Sequence, residues 1–176
     1  AGNVQFGQAE MAVNYYLPVT IGDDFKTNFR FAIEPTMVYP LSGQPVPYWE
    51  RLNLGTLYNM KAYYQQDKVI GPRIEVVNGP FATSVDRIVV GGNRRLYGAG
   101  EYFIPLIPEA NLRLVSFWES GTVLDDRESF ELDKFKHDVG FGLRWQTPIA
   151  PFRFEWAWPL EKGRLGEQEF IFSVGN

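Results

Sequence analysis

The sequence predicts an all-β protein, an antiparallel up-and-down transmembrane β-barrel of about eight strands. Three observations lead to that class. Between Asp138 and Gly175, three successive runs alternate apolar and polar residues with a period of two. Aromatic residues make up 16% of the 176 residues and fall mostly on alternating positions, a composition suited to pleated strands rather than helices. The polar faces of these runs mix isolated charges with small residues such as Gly140, Gly142, Ala157 and Ser173, which suit a crowded interior better than a solvated exterior. Such a sheet turns its aromatic face outward to lipid, whereas a soluble, lipocalin-like barrel would crowd its outer face with Lys, Glu and Thr.

In chain order, Glu10 to Leu17 reads as the first strand, ended by a turn that begins at Pro18 and passes through Gly22, Asp23 and Asp24. Phe25 to Ile33 sets Phe25, Phe29, Phe31 and Ile33 against Lys26, Asn28, Arg30 and Glu34, and Tyr39 marks the strand's end before Pro40. From Leu41 to about Val85 alternation lapses among prolines and glycines, and a loop of that length is usually functional. Its Leu- and Tyr-rich part, Arg51 to Tyr64, is the segment that would raise the count from seven strands to eight. Asp86 to Leu106 reads as one long strand with bends at Gly91, Gly92, Gly98 and Gly100. Leu112 to Leu124 follows, then an acidic outer loop from Asp125 to Asp133.

The last three strands are the clearest. Val139, Phe141, Leu143 and Trp145 lie opposite Asp138, Gly140, Gly142 and Arg144; after the Pro148 to Pro151 turn, Phe152, Phe154, Trp156 and Trp158 lie opposite Arg153, Glu155 and Ala157. Beyond Lys162, Gly163 and Arg164, Phe170, Phe172 and Val174 lie opposite Glu169, Ser173 and Gly175. Phe141, Leu143, Trp145, Phe154 and Trp156 are therefore expected to face lipid, and Arg144, Arg153 and Glu155 the lumen. On parity alone, Leu143→Arg should harm folding far more than Arg144→Leu, because a charge at a lipid-facing midplane is costly.

Composition excludes several functions. A net charge of -4 leaves no basic face for nucleic acid, and the absence of cysteine removes thiolate metal sites, thiol nucleophiles and disulfides. No apolar run reaches the length of a membrane-spanning helix, and no signal segment is visible, so an exported protein would stand here in mature or trimmed form. His137, the single histidine, sits beside Asp138 without a further catalytic partner, and reads as a strand-end residue. Gly91 to Arg95 lacks the following helix of a phosphate loop, and the acidic loop lacks the spacing of an EF-hand. No catalytic residue, metal site or cofactor is assigned, and the protein is not expected to be an enzyme.

The run Val90, Gly91, Gly92, Asn93 leading to Glu101 through Leu106, then Phe117 through Val123, resembles the C-terminal barrel of the BamA/TamA outer-membrane assembly superfamily. So do Gly140 through Trp145, Thr147, Pro148, Ala150 through Phe154, and the ending Phe170 to Gly175. The resemblance covers most of the chain. It implies the C-terminal half of a sixteen-stranded barrel in the outer membrane of a Gram-negative bacterium, with a long loop folded back into the lumen on an Arg-Gly-Phe motif. Here the motif positions read Lys61, Ala62, Tyr63, flanked by the landmarks Glu50, Arg51 and Gly71, Pro72, Arg73. The family's periplasmic domains and the first half of its barrel have no counterpart, and the last strand stops at Asn176, short of the family's terminal aromatic.

The resemblance further implies a latch between Lys61 and the inward carboxylates Glu101 and Glu119. By parity Glu101 shares a face with Arg87, Asn93 and Arg95, and Glu119 with Arg113. The bland alternative has Lys61 in solvent and each glutamate paired with a neighbouring arginine. Lysine lacks the guanidinium fork, so the latch is expected to be loose, with a coupling of about 1 kcal/mol in a wet lumen. The function so implied is that of an assembly or insertion factor's membrane domain. Its partners would be the lipid bilayer, nascent outer-membrane proteins and assembly-machine subunits. The alternative is a small closed barrel without assembly activity, structural or passively permeable.

Overall fold

The computed structural model describes residues 4–22, 24–65, 67–77 and 85–175, and within them the regular structure is antiparallel sheet apart from four three-residue 3-10 turns. The strands are β1 (Phe6–Glu10), β2 (Val13–Ile21), β3 (Phe25–Pro40), β4 (Arg73–Val77), β5 (Val85–Val89) and β6 (Arg94–Ile107). They continue with β7 (Leu112–Leu124), β8 (Lys136–Gln146), β9 (Pro151–Glu161), β10 (Arg164–Leu165) and β11 (Glu169–Val174). Asp23 of the expected first turn, Gly79 and Pro80 of the long loop, and Asn176 lie outside the described residues.

One sheet runs β3, β6, β7, β8, β9 in that order, with β1 and β2 end to end along β3, and β10 and β11 end to end along β9. Its nine strands therefore occupy seven positions. Pro35 explains the gap between β1 and β2. The Met11 N–H donates to the Pro35 carbonyl at 3.1 Å, but proline has no N–H to return the bond, so the ladder lapses between the Glu10–Thr36 and Val13–Ile33 pairs without losing register. Between β10 and β11 the register slips by one residue, from Leu165 opposite Leu160 to Glu169 opposite Ala157.

Three expected boundaries move. Pro18 does not end the first strand: it lies inside β2 opposite Asn28, a place an outer strand tolerates, and the turn waits for Gly22 at φ 65°. The expected strand Asp86 to Leu106 is two strands, because Gly91 adopts φ 72° and the chain leaves one sheet for another there. The loop adds no strand to the main sheet. Its latter part pairs as the separate hairpin β4–β5, Arg73 opposite Val89.

Parity holds across the main sheet. Glu119, Asp138 and Pro159 align on the concave face, as do Phe117, Gly140 and Ala157, while Trp118, Val139 and Trp158 align on the other. Phe141, Leu143, Trp145, Phe154 and Trp156 all lie on that outer face, where Phe141 stacks on Trp156 at 5.6 Å and Trp145 packs at a tilt against Phe152 at 6.1 Å. Phe141→Arg is expected to cost about 2 to 4 kcal/mol in lipid, against well under half of that for Phe141→Leu. Equal losses for the two in unfolding titrations would mean that this face meets water.

The core is not between two sheets. It lies between the concave face and the loop, where Leu54, Met60 and Ala62 are fully buried. The wall is shaped to receive them and its own large residues. A Cβ on Gly140 would stand 2.3 Å from both Phe117 Cζ and the Trp156 carbonyl oxygen, so glycine there makes room for the Phe117 ring. Gly140→Ala is expected to destabilise by about 1 to 3 kcal/mol, since a backbone oxygen cannot step aside. An unchanged denaturation midpoint would show that the strands part more freely than this packing implies.

Candidate functional site

The site is built where the loop meets the wall. Met60, at φ 47°, turns the chain sharply into a single 3-10 turn of Lys61, Ala62 and Tyr63, all three buried. A turn this short leaves its first backbone N–H groups without partners of their own. The strands supply them: the Lys61 N–H donates to Glu119 Oε2 at 3.2 Å and the Ala62 N–H to Asp138 Oδ2 at 2.9 Å. Glu119 and Asp138 stand directly opposite each other on β7 and β8, so two adjacent strands present two carboxylates to one turn.

The Lys61 ammonium reaches the same group, with Nζ 2.6 Å from Glu119 Oε1, and both side chains are 1% exposed. It also lies 4.2 Å from the centre of the Phe117 ring, a cation over an aromatic face. The Tyr97 hydroxyl donates to Glu119 Oε1 at 2.6 Å, and the Tyr63 hydroxyl to the His137 carbonyl at 3.2 Å. Farther along, the Gln65 amide donates to Glu169 Oε2 at 2.6 Å, and Lys68 pairs with the same carboxylate. That hydrogen bond raises the Lys68 pKa above the ordinary lysine value, keeping the ammonium charged. The loop is thus fastened to β7, β8 and β11 together.

Of the two expected carboxylates, the structure brings one to Lys61. Glu101 faces inward but pairs with Arg30 at 2.5 Å and Arg144 at 2.6 Å; Arg144 in turn reaches Glu155 at 2.7 Å. Each of the two alternatives thus describes one glutamate. Arg87 does not share the face of Glu101, because it belongs to the outlying hairpin and pairs there with Glu75 at 3.2 Å. Asn93 and Arg95 do face inward, Arg95 donating to Thr36 Oγ1 at 2.9 Å. Arg51, one of the loop's landmarks, donates to the Val46 carbonyl at 3.1 Å, while Glu50 stays exposed.

Asp138 is the partner of the loop that sequence reasoning misses. Its even-numbered place beside Gly140 and Gly142 is the available signal, but the group it binds is a backbone N–H, which carries no mark in the sequence. His137, next to it, points the other way and stacks on Trp118 at 5.8 Å, so successive strand residues separate the His-Asp pair onto opposite faces. The acidic loop is occupied by cations of the chain itself: Arg94 donates to the carbonyls of Asp125 at 2.7 Å and Asp126 at 3.2 Å, and to that of Glu128. Lys134 lies 3.5 Å from Glu131. Among the described residues, no group of His, Cys, Asp and Glu is placed to hold a metal.

Comparison with known proteins agrees with this architecture. The model of a family described as the Omp85 superfamily domain matches residues 1–176. An outer membrane protein assembly factor BamA from Nitratidesulfovibrio vulgaris is 35% identical over 135 residues, covering 74% of this chain and 16% of that protein. BamA from Neisseria meningitidis serogroup B is 23% identical over 160 residues, covering 74% of this chain and 19% of that protein. The chain therefore spans less than a fifth of the length of these relatives. The crystal structure of BamA from Haemophilus ducreyi lacking POTRA domains 1-3 superposes with a TM-score of 0.73 at 19% identity, over 97% of this chain and 35% of that one, a likeness of fold.

Proposed function

The chain belongs to the Omp85 superfamily, and on that premise we propose that it forms part of a bacterial outer-membrane barrel that accepts, templates or inserts other β-barrel chains. The observation that carries the proposal is the buried turn Lys61 to Tyr63, held by Glu119 and Asp138 while the same loop grips Glu169 on β11. β11 is six residues long against the eleven of β9, so this seam has the shortest ladder among the long strands from β6 onward. A short ladder opens at less cost, and an opened edge offers its main-chain groups to an incoming strand. The docked loop, by holding β11, sets how readily that edge opens. Its partners are then the lipid bilayer, nascent outer-membrane proteins and the other subunits of an assembly machine.

The test is assembly by the intact protein in liposomes, read as the heat-modifiable folded band of a barrel substrate. Acceleration over empty liposomes, slowed several-fold by Lys61→Met, is the expected result. No acceleration would overturn the assembly reading in favour of a structural or passive barrel, although the loop filling the concave side speaks against an open pore. Acceleration untouched by Lys61→Met would reduce the loop to a structural plug.

A further inference from the structure

Near the turn end of the wall, away from the loop's anchor, three arginines stand in one cross-strand row. Arg113 of β7 lies directly opposite Arg144 of β8, and Arg144 directly opposite Arg153 of β9. Like charges placed so destabilise a sheet unless something neutralises them. Arg144 is neutralised by Glu101 and Glu155. Among the described residues, no carboxylate lies within ion-pair reach of Arg113 or Arg153. Arg153 instead lies over the Tyr58 ring at 5.1 Å, and the next residue in the row, Ser173, is an inward, buried hydroxyl with no hydrogen-bond partner among the described residues.

The three arginines share a cavity of about 240 Å³ with Phe103, Asn111 and Gln146. A second cavity of about 510 Å³ continues it along the concave face past Arg30. Four guanidiniums thus converge on a space lined by two carboxylates, Glu101 beside the row and Glu34 farther up β3, level with Tyr97, while Glu155 is buried behind Arg144. A concave surface with excess charge of one sign concentrates its field and attracts counter-ions.

We propose that this row binds an oxyanion, and that its occupant is the carboxylate side chain of an acidic polypeptide segment entering at the turn end of the sheet. Guanidinium forks match carboxylates in geometry. The row extends across strands rather than closing round a point, as suits side chains on an extended segment more than one small anion. Asn111 and Gln146, which line the cavity, offer amide donors and acceptors to a passing backbone, and the Phe103 ring, 5.3 Å beneath Arg144, backs the row. The inference rests on the wall's register and not on assembly activity, so either can fail without the other.

The experiment titrates the intact protein in lipid nanodiscs with a blocked, labelled oligoglutamate, with oligoglutamine and inorganic phosphate as the other arms. Oligoglutamate should bind, oligoglutamine should not, and added salt should weaken the binding. Arg113→Gln with Arg153→Gln should weaken it by about tenfold or more, and Arg153→Lys by less. Retained heat-modifiable mobility establishes that the variants are folded. Should the pair fail to fold, Arg113→Gln alone, at an exposed side chain, should still weaken binding several-fold. Binding of phosphate without oligoglutamate, equal binding of oligoglutamine, or affinity unchanged in the variants would overturn the proposal.

Discussion

Lys61→Met is expected to lower the unfolding free energy in lipid by about 3 to 5 kcal/mol, the usual cost of stranding one member of a buried ion pair. Both side chains are 1% exposed, and the Nζ to Oε1 distance is 2.6 Å, so no bulk water remains to take the lysine's place beside Glu119. The looser coupling expected of a lysine applied to a wet lumen; Met60, Phe117 and Leu54 make this one dry. Glu119→Gln removes the charge but keeps a single acceptor oxygen, which can serve the Tyr97 hydroxyl bound at Oε1 or the Lys61 N–H bound at Oε2 and not both, so only the double-mutant cycle separates the ionic part. A cycle of Lys61→Met with Glu119→Gln should show coupling well above 1 kcal/mol, roughly 2 to 3. The cycle with Glu101→Gln should be close to additive, because Glu101 spends its oxygens on Arg30 and Arg144. Strong coupling to Glu101 and none to Glu119 would mean that the loop docks elsewhere on the wall in the membrane.

Arg144→Leu should cost a similar amount, about 3 to 5 kcal/mol, because one guanidinium serves two buried carboxylates. It lies 2.6 Å from Glu101 and 2.7 Å from Glu155, and the Glu155 side chain is 0% exposed. Glu101 keeps Arg30 when Arg144 is lost; among the described residues Glu155 has no other ion-pair partner. This changes the ranking that parity alone suggested. Leu143→Arg still carries the penalty of about 2 to 4 kcal/mol for a lipid-facing charge, but it no longer exceeds its inward neighbour. Replacing both members, Arg144→Leu with Glu155→Leu, should recover a good part of the loss, since a packed apolar pair often does as well as a buried ionic one. A single Arg144→Leu variant within about 1 kcal/mol of wild type in denaturant titrations would mean that water reaches Glu155 from the cavity beside it.

Loop docking and wall integrity thus draw on separate sets of charges, and the two sets meet on β8, at Asp138 and Arg144. Glu119 and Asp138 hold the turn; two residues along, Phe117 fills the space over Gly140, and beyond it Arg144 ties β8 to β6 and β9. Effects of Lys61 and Arg144 variants should add, because among the described residues they share no ion-pair partner.

What the chain's letters determined by themselves was everything that belongs to one strand at a time. The pleat sends successive side chains to opposite faces, so Phe141, Leu143 and Trp145 were legible as one face and Gly140, Gly142 and Arg144 as the other, and Glu101 and Glu119 as inward. The resemblance in the loop placed Lys61 opposite that inward face. Which inward groups meet was decided only by the tertiary structure, because that depends on register between strands and on the path of the loop. Parity could not say that Arg30 stands opposite Glu101, that Arg144 reaches across both seams, or that Asp138 lies beside Glu119 and takes the Ala62 N–H. It could not end a strand at Gly91 either, since glycines within a strand mark a bend as readily as an exit, and only the backbone turns the chain there into a different sheet. A period of two is a local consequence of the extended backbone, whereas partnership between charges is a property of the packed wall, where desolvation leaves each buried carboxylate needing a particular cation or N–H within reach.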